Sequence, residues 1–137
     1  MPLTLEKESL EGILQRKNVN KFINRINLFS RGEMVCLTPV FSESNSDLET
    51  YLFRDSLLRL QESMEISVDF YFALFLQIQI PYSEKFTNIL QYSDIYMRSD
   101  IFIRPKLLYA GRDNIFHFEV KATQFGELKA IGQISIQ

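Results

Sequence analysis

Ile66-Ser67-Val68-Asp69-Phe70-Tyr71-Phe72-Ala73-Leu74-Phe75-Leu76-Gln77-Ile78-Gln79-Ile80 is the stretch on which the fold turns. Ile66, Val68, Phe70, Phe72, Leu74, Leu76, Ile78 and Ile80 alternate without a break, a strand pattern rich in β-branched and aromatic residues. Tyr71, Ala73 and Phe75 fill intervening places, which suits a helix buried on all sides. Upstream, Phe53, Leu57, Leu60 and Met64 recur at helical spacing, and Val68, Tyr71 and Phe75 prolong their stripe. The pattern therefore predicts helix to about Leu76 and a turn into Pro81, with a strand over 66–80 as the alternative. Ser46-Asp47-Leu48-Glu49 has the capping-box spacing of a helix start. Asp55 offers a second cap, so a short helix followed by a longer one is also allowed.

Downstream, Ile101–Tyr109, Ile115–Thr123 and Leu128–Gln137 read as three strands separated by Gly-containing turns at 110–114 and 125–127. Phe116, Phe118, Val120 and Ala122 alternate with His117, Glu119, Lys121 and Thr123. Leu128, Ala130, Ile134 and Ile136 alternate with Lys129, Gln133, Ser135 and Gln137. Period-two patterning of this kind implies an antiparallel sheet with one dry and one wetter face. Pro105 marks an edge or bulge in the extended stretch Tyr96–Tyr109. Residues 81–85 read as a loop, and 87–94 are left open.

At the other end, Thr4 is placed to cap a helix over about Leu5–Gln15. Arg16–Lys21 reads as a solvated basic connector, with a phosphate contact as the sharper alternative. Phe22–Phe29 and Glu33–Phe41 flank Ser30-Arg31-Gly32 as a hairpin, Gly32 supplying positive φ and Pro39 an edge or bulge near its end. The 137 residues suffice for a single domain, with 1–20 as N-terminal helix and connector and 22–137 as the main body.

Charge is nearly balanced, 15 basic residues against 17 acidic, so no global field draws the chain to nucleic acid or anionic lipid. Arg98, Arg104 and Arg112 interleave with Tyr92, Tyr96 and Tyr109, but Asp94, Asp100 and Asp113 offset them. The N-terminus lacks a basic segment followed by an apolar one, and no apolar run reaches bilayer length. A cytoplasmic protein without membrane insertion is the expectation. Cys36 excludes an intrachain disulfide and reads as a buried small hydrophobe. No metal-ligand spacing, phosphate-cradling glycine loop or serine-hydrolase elbow occurs, so no metal or cofactor is expected.

A strand pair, a capped apolar helix and then three or more antiparallel strands resembles the hotdog fold of acyl-thioester enzymes, a curved antiparallel sheet wrapped around a central helix. Leu57-Leu58-Arg59-Leu60-Gln61-Glu62-Ser63-Met64 is similar to the helix start of hotdog dehydratases and of the A-factor-synthase type of hotdog domain. Ile103-Arg104-Pro105 through Gly132-Gln133-Ile134 is similar to the closing strands. The fold expected is thus α+β, with five or six strands around one main helix. An NTF2-like cone-shaped sheet is the alternative, and it or a secretion-chaperone-like fold gains if 66–80 is a strand.

The resemblance implies action on, or binding of, acyl-CoA or acyl-carrier protein by a homodimer whose seam holds an apolar tunnel. It makes Glu62 a general base that activates water against a thioester. By helical phase Glu62 lies off the apolar stripe, whereas Gln61 and Glu65 lie nearer, so these two become the site pair if the alignment shifts. Asp55 and Ser56 sit where a helix start polarises a carbonyl, with Asp55 otherwise a cap, and Arg54 is a candidate partner for a carrier phosphate. Hotdog dehydratases carry a His shortly before the helix; here His117 stands in a late strand, which argues against dehydration and leaves hydrolysis. A non-catalytic acyl binder, and a partner-binding protein such as a small chaperone or immunity protein, are the competing readings.

Overall fold

The computed structural model describes residues 3–38, 53–77, 84–96, 99–111 and 115–137, with main chain alone for 53–56. The chain runs β1 (Leu3–Glu6), α1 (Lys7–Leu14), β2 (Arg25–Leu28), β3 (Met34–Thr38), α2 (Phe53–Tyr71), β4 (Lys85–Gln91), β5 (Ile101–Ala110), β6 (Phe116–Gln124) and β7 (Glu127–Ile136). The strands form one antiparallel seven-stranded sheet in the order β1-β2-β3-β5-β6-β7-β4.

Residues 66–76 are helical, as favoured. α2 reaches Tyr71, a π-helical turn spans Phe72–Leu76, and Gln77 stops it in the left-handed region at φ 55. The strand-like alternation arises because this helix is covered on several sides. Ile66, Val68, Phe70 and Phe72 are buried, but so are Ser67 and Asp69, which a half-buried strand would leave on its wet face. The strand that would have favoured an NTF2-like or chaperone-like sheet is therefore not formed over 66–76.

The inner face of the sheet carries Ile101, Ile103, Phe118, Val120, Ala122, Ala130, Ile134 and Ile136, all buried. Phe72 meets Phe116 and Phe118 edge-on, with ring centroids 4.9 and 5.2 Å apart. At Gly132 a Cβ would lie 2.6 Å from Met64 Sδ, so the absence of a side chain lets α2 settle close against β7. Cys36 is fully buried, and burial pushes its thiol pKa up.

Several expectations are corrected. The first helix does not start at Leu5 and Thr4 does not cap it. Leu3–Glu6 instead pairs with β2, where Thr4 Oγ1 donates to Asn27 Oδ1 at 2.9 Å, and α1 begins at Lys7. An open edge of β2 captured a segment whose local signals favour a helix. Among the described residues the sheet accordingly has seven strands rather than five or six. The first hairpin strand shortens to Arg25–Leu28 because Val19–Lys21 forms a 3-10 turn ending at Phe22. Lys85 and the stretch left open after it become β4.

Lys129 does not lie on the wetter face. The β6–β7 register shifts there, and the buried ammonium reaches Ser93 Oγ at 3.0 Å and Glu127 Oε2 at 3.3 Å. His117 does point outward with Glu119 and Lys121; it stacks on Tyr109 and its Nδ1 lies 3.0 Å from Ser135 Oγ. Pro105 stands where the β3 ladder, which spans Ile101–Ile103, has ended. The Ser46–Glu49 capping box and Pro39 fall outside the described residues.

A polar cleft between the central helix and an edge strand

Gln61, Glu65 and Asp69 recur every four residues and so share one flank of α2. That flank faces β4, whose alternation turns Lys85, Thr87 and Ile89 inward and leaves Phe86, Asn88 and Leu90 exposed. Thr87 Oγ1 donates to Glu65 Oε1 at 2.9 Å, and Gln61 Nε2 reaches the same oxygen at 3.4 Å. One turn further, Lys85 Nζ pairs with Asp69 Oδ1 at 3.0 Å, and Arg16 Nη2 pairs with Oδ2 at 3.1 Å. A carboxylate this buried is tolerable because two cations meet it.

Between this flank and the connector after α1 lies a cleft of about 260 Å³, lined by residues including Arg16, Lys17, Glu62, Glu65, Asp69 and Lys85. Three cations thus balance three carboxylates. The structure brings Gln61 and Glu65 together and places Glu62 on the exposed rim. Arg54, Asp55 and Ser56 lie in α2 where its description begins, with side chains outside the described atoms. Asp55 and Glu65 are ten positions apart on one helix, about 15 Å along its axis, so they do not converge on one bond within a single chain.

The sequence alone does not single out Asp69, Lys85 or Thr87, and gives Arg16 only as part of a basic connector. The available signal was a charge interrupting a buried helix, in phase with Gln61 and Glu65, which demands a partner. The connector is not merely solvated: Val19 is buried and Arg16 closes on Asp69. Among the described residues no group of three or more His, Cys, Asp or Glu is placed to hold a metal ion, and no helix is long and apolar enough to cross a membrane.

No protein-family model and no curated protein matches the sequence. Solved structures do match. Thioesterase superfamily member 2 from Mus musculus is 17% identical with a TM-score of 0.60, over 94% of this chain and 91% of that one. A sigma28-regulated virulence protein from Campylobacter jejuni is 10% identical with a TM-score of 0.61, over 94% and 89%. A hypothetical thioesterase with coenzyme A from Streptococcus pneumoniae is 17% identical with a TM-score of 0.55, over 81% of each chain. With a single sheet curled about α2 and this likeness over nearly its whole length, the chain is a hotdog-fold protein.

Proposed function

We propose that this protein hydrolyses acyl thioesters, with acyl-CoA as substrate and acyl-carrier protein as the other carrier its chemistry admits, and that it works in the cytoplasm as a homodimer. The observation that carries the reading is Glu65, a carboxylate in a cleft beside an open sheet edge, oriented by Thr87 and Gln61. Glu65 takes a proton from water as the oxygen attacks the thioester carbon. The tetrahedral intermediate expels the thiolate, which takes up the proton held by Glu65, giving a carboxylic acid and a free thiol. Arg16 and Lys17 stand at the cleft to meet carrier phosphates.

The dimer proposal rests on β4. Its outer side has no strand partner among the described residues, and Phe86 and Leu90 are 56% and 59% exposed on it. An edge of this kind invites strand pairing. Two-fold pairing there runs the partner's α2 antiparallel to this one and brings a helix start toward Glu65. That supplies the carbonyl-polarising amides which one chain holds about 15 Å away.

The test is thiol release from a panel of acyl-CoAs. Turnover is expected, with Glu65→Gln lowering kcat by about 10²-fold or more and Glu62→Gln leaving it nearly unchanged. Inert wild-type protein, or equal rates for wild type and Glu65→Gln, would overturn the assignment.

A further inference from the structure

A second opening lies on the far side of the sheet from β4. β3 pairs with β5 only over Cys36↔Ile103, Leu37↔Phe102 and Thr38↔Ile101, and the strands then part. The gap they leave is a pocket of about 490 Å³ between the β2–β3 turn and β5, within the range of small-molecule sites. Its walls are graded. Met34, Pro105 and Leu107 line it with apolar surface, and Tyr71 of α2 is reached from it.

Arg31, Arg104, Lys106 and Lys121 also line the pocket, against Glu33 and Glu119. Lys121 is met by Glu119 at 3.7 Å and Arg104 donates to Thr123 Oγ1 at 2.7 Å. Arg31 and Lys106 make no hydrogen bond or ion pair among the described residues, and neither does the Tyr71 hydroxyl, although its ring packs on Phe75 and Phe118. The helix also changes from α to π geometry directly after Tyr71, a distortion that recurs at functional sites. An excess of two positive charges at an opening with an apolar wall selects a ligand with an anionic head and an apolar tail.

We propose that the opening between β3 and β5 binds a carboxylate-headed amphipath of medium chain length. Arg31 and Lys106 take the carboxylate, and the alkyl chain lies along Met34 and Leu107 toward Tyr71. Three strand spacings, about 14 Å, separate β5 from β4, so this site is distinct from the cleft at Glu65 and does not depend on hydrolysis there.

The experiment is calorimetric titration of the full-length protein with decanoate, decanol and acetate, each below its aggregation limit. Decanoate is expected to bind at least about tenfold more tightly than decanol, since a hydrogen-bonded charge is worth that much, and acetate to give no measurable binding. Arg31→Glu/Lys106→Glu, at exposed positions, should weaken decanoate at least about tenfold. Glu65→Gln should leave it unchanged. A melting curve verifies that the double variant folds; if it does not, Lys106→Gln alone carries the comparison. No decanoate binding, equal binding of decanol, acetate binding as tight as decanoate, or undiminished affinity in the charge variants would each overturn the proposal. A loss in Glu65→Gln instead would place the ligand in the other cleft and overturn it likewise.

Discussion

Replacing Asp69 by Asn leaves a cation without its counter-charge inside the protein. The Asp69 side chain is 6% exposed, Lys85 is 17% exposed and Arg16 is 44% exposed. The two pairs therefore count differently. Arg16 rehydrates in the variant, and its lost pairing is worth at most about 1 kcal/mol, as for surface ion pairs. Lys85 sits inward on β4 beside the helix. Removing one partner of a fully buried pair costs about 3–5 kcal/mol, and partial exposure of Lys85 reduces that toward the lower end. Asn also retains a carbonyl that accepts a hydrogen bond. The expected net loss is about 2–3 kcal/mol, which for a chain of this length lowers Tm by about 7–10 °C.

Thermal or urea unfolding of Asp69→Asn, Arg16→Gln and wild type measures it. Arg16→Gln should cost about 1 kcal/mol or less, and Asp69→Leu combined with Lys85→Met should recover most of the loss, because neither charge then remains buried. A loss below about 1 kcal/mol in Asp69→Asn, or an equal loss in Arg16→Gln, would show that Lys85 is not the charge at stake.

Gly132→Ala should cost about 1–3 kcal/mol in urea unfolding, because its Cβ meets Met64 Sδ at 2.6 Å; in a Met64→Ala background the cost should shrink, as the two positions are coupled. Cys36 should resist a thiol reagent in the folded protein and react fully in urea, since burial keeps it protonated. Its folded pKa is raised above the ordinary 9.0, so the unfolded chain alone ionises as pH climbs past that value. Stability from this group is intact below about pH 8.5 and declines above it, which Tm measured from pH 7 to pH 10 in wild type and Cys36→Ala should reveal.

The sheet was legible where alternation acts locally. Phe116–Gln124 and Glu127–Ile136 declare their faces residue by residue, and the turn between them places Phe125 and Gly126 at positive φ as a short hairpin demands. The 66–76 segment was legible only through context. Its alternation reports cover on several sides, and the helical register of Phe53, Leu57, Leu60 and Met64 upstream supplied the deciding signal. β1 was not legible, because pairing with β2 is a tertiary interaction that outweighs the local preference of Thr4–Glu6. At the candidate site, Gln61 and Glu65 came from helical phase. Asp69, Arg16, Lys85 and Thr87 converge from three separate stretches, and no spacing along the chain announces their meeting.

A thioester site completed by a second copy across β4 requires assembly and turnover to fall together, so both are measured on the same samples. Phe86→Lys/Leu90→Lys changes only outward, exposed positions of that strand. Sedimentation velocity and thiol release from acyl-CoA, run on wild type and this variant, should show a dimer that turns over and a folded monomer slowed by about 10²-fold or more. A monomeric variant that hydrolyses at the wild-type rate, or a wild-type protein that is active while monomeric, would mean that each chain holds a complete site.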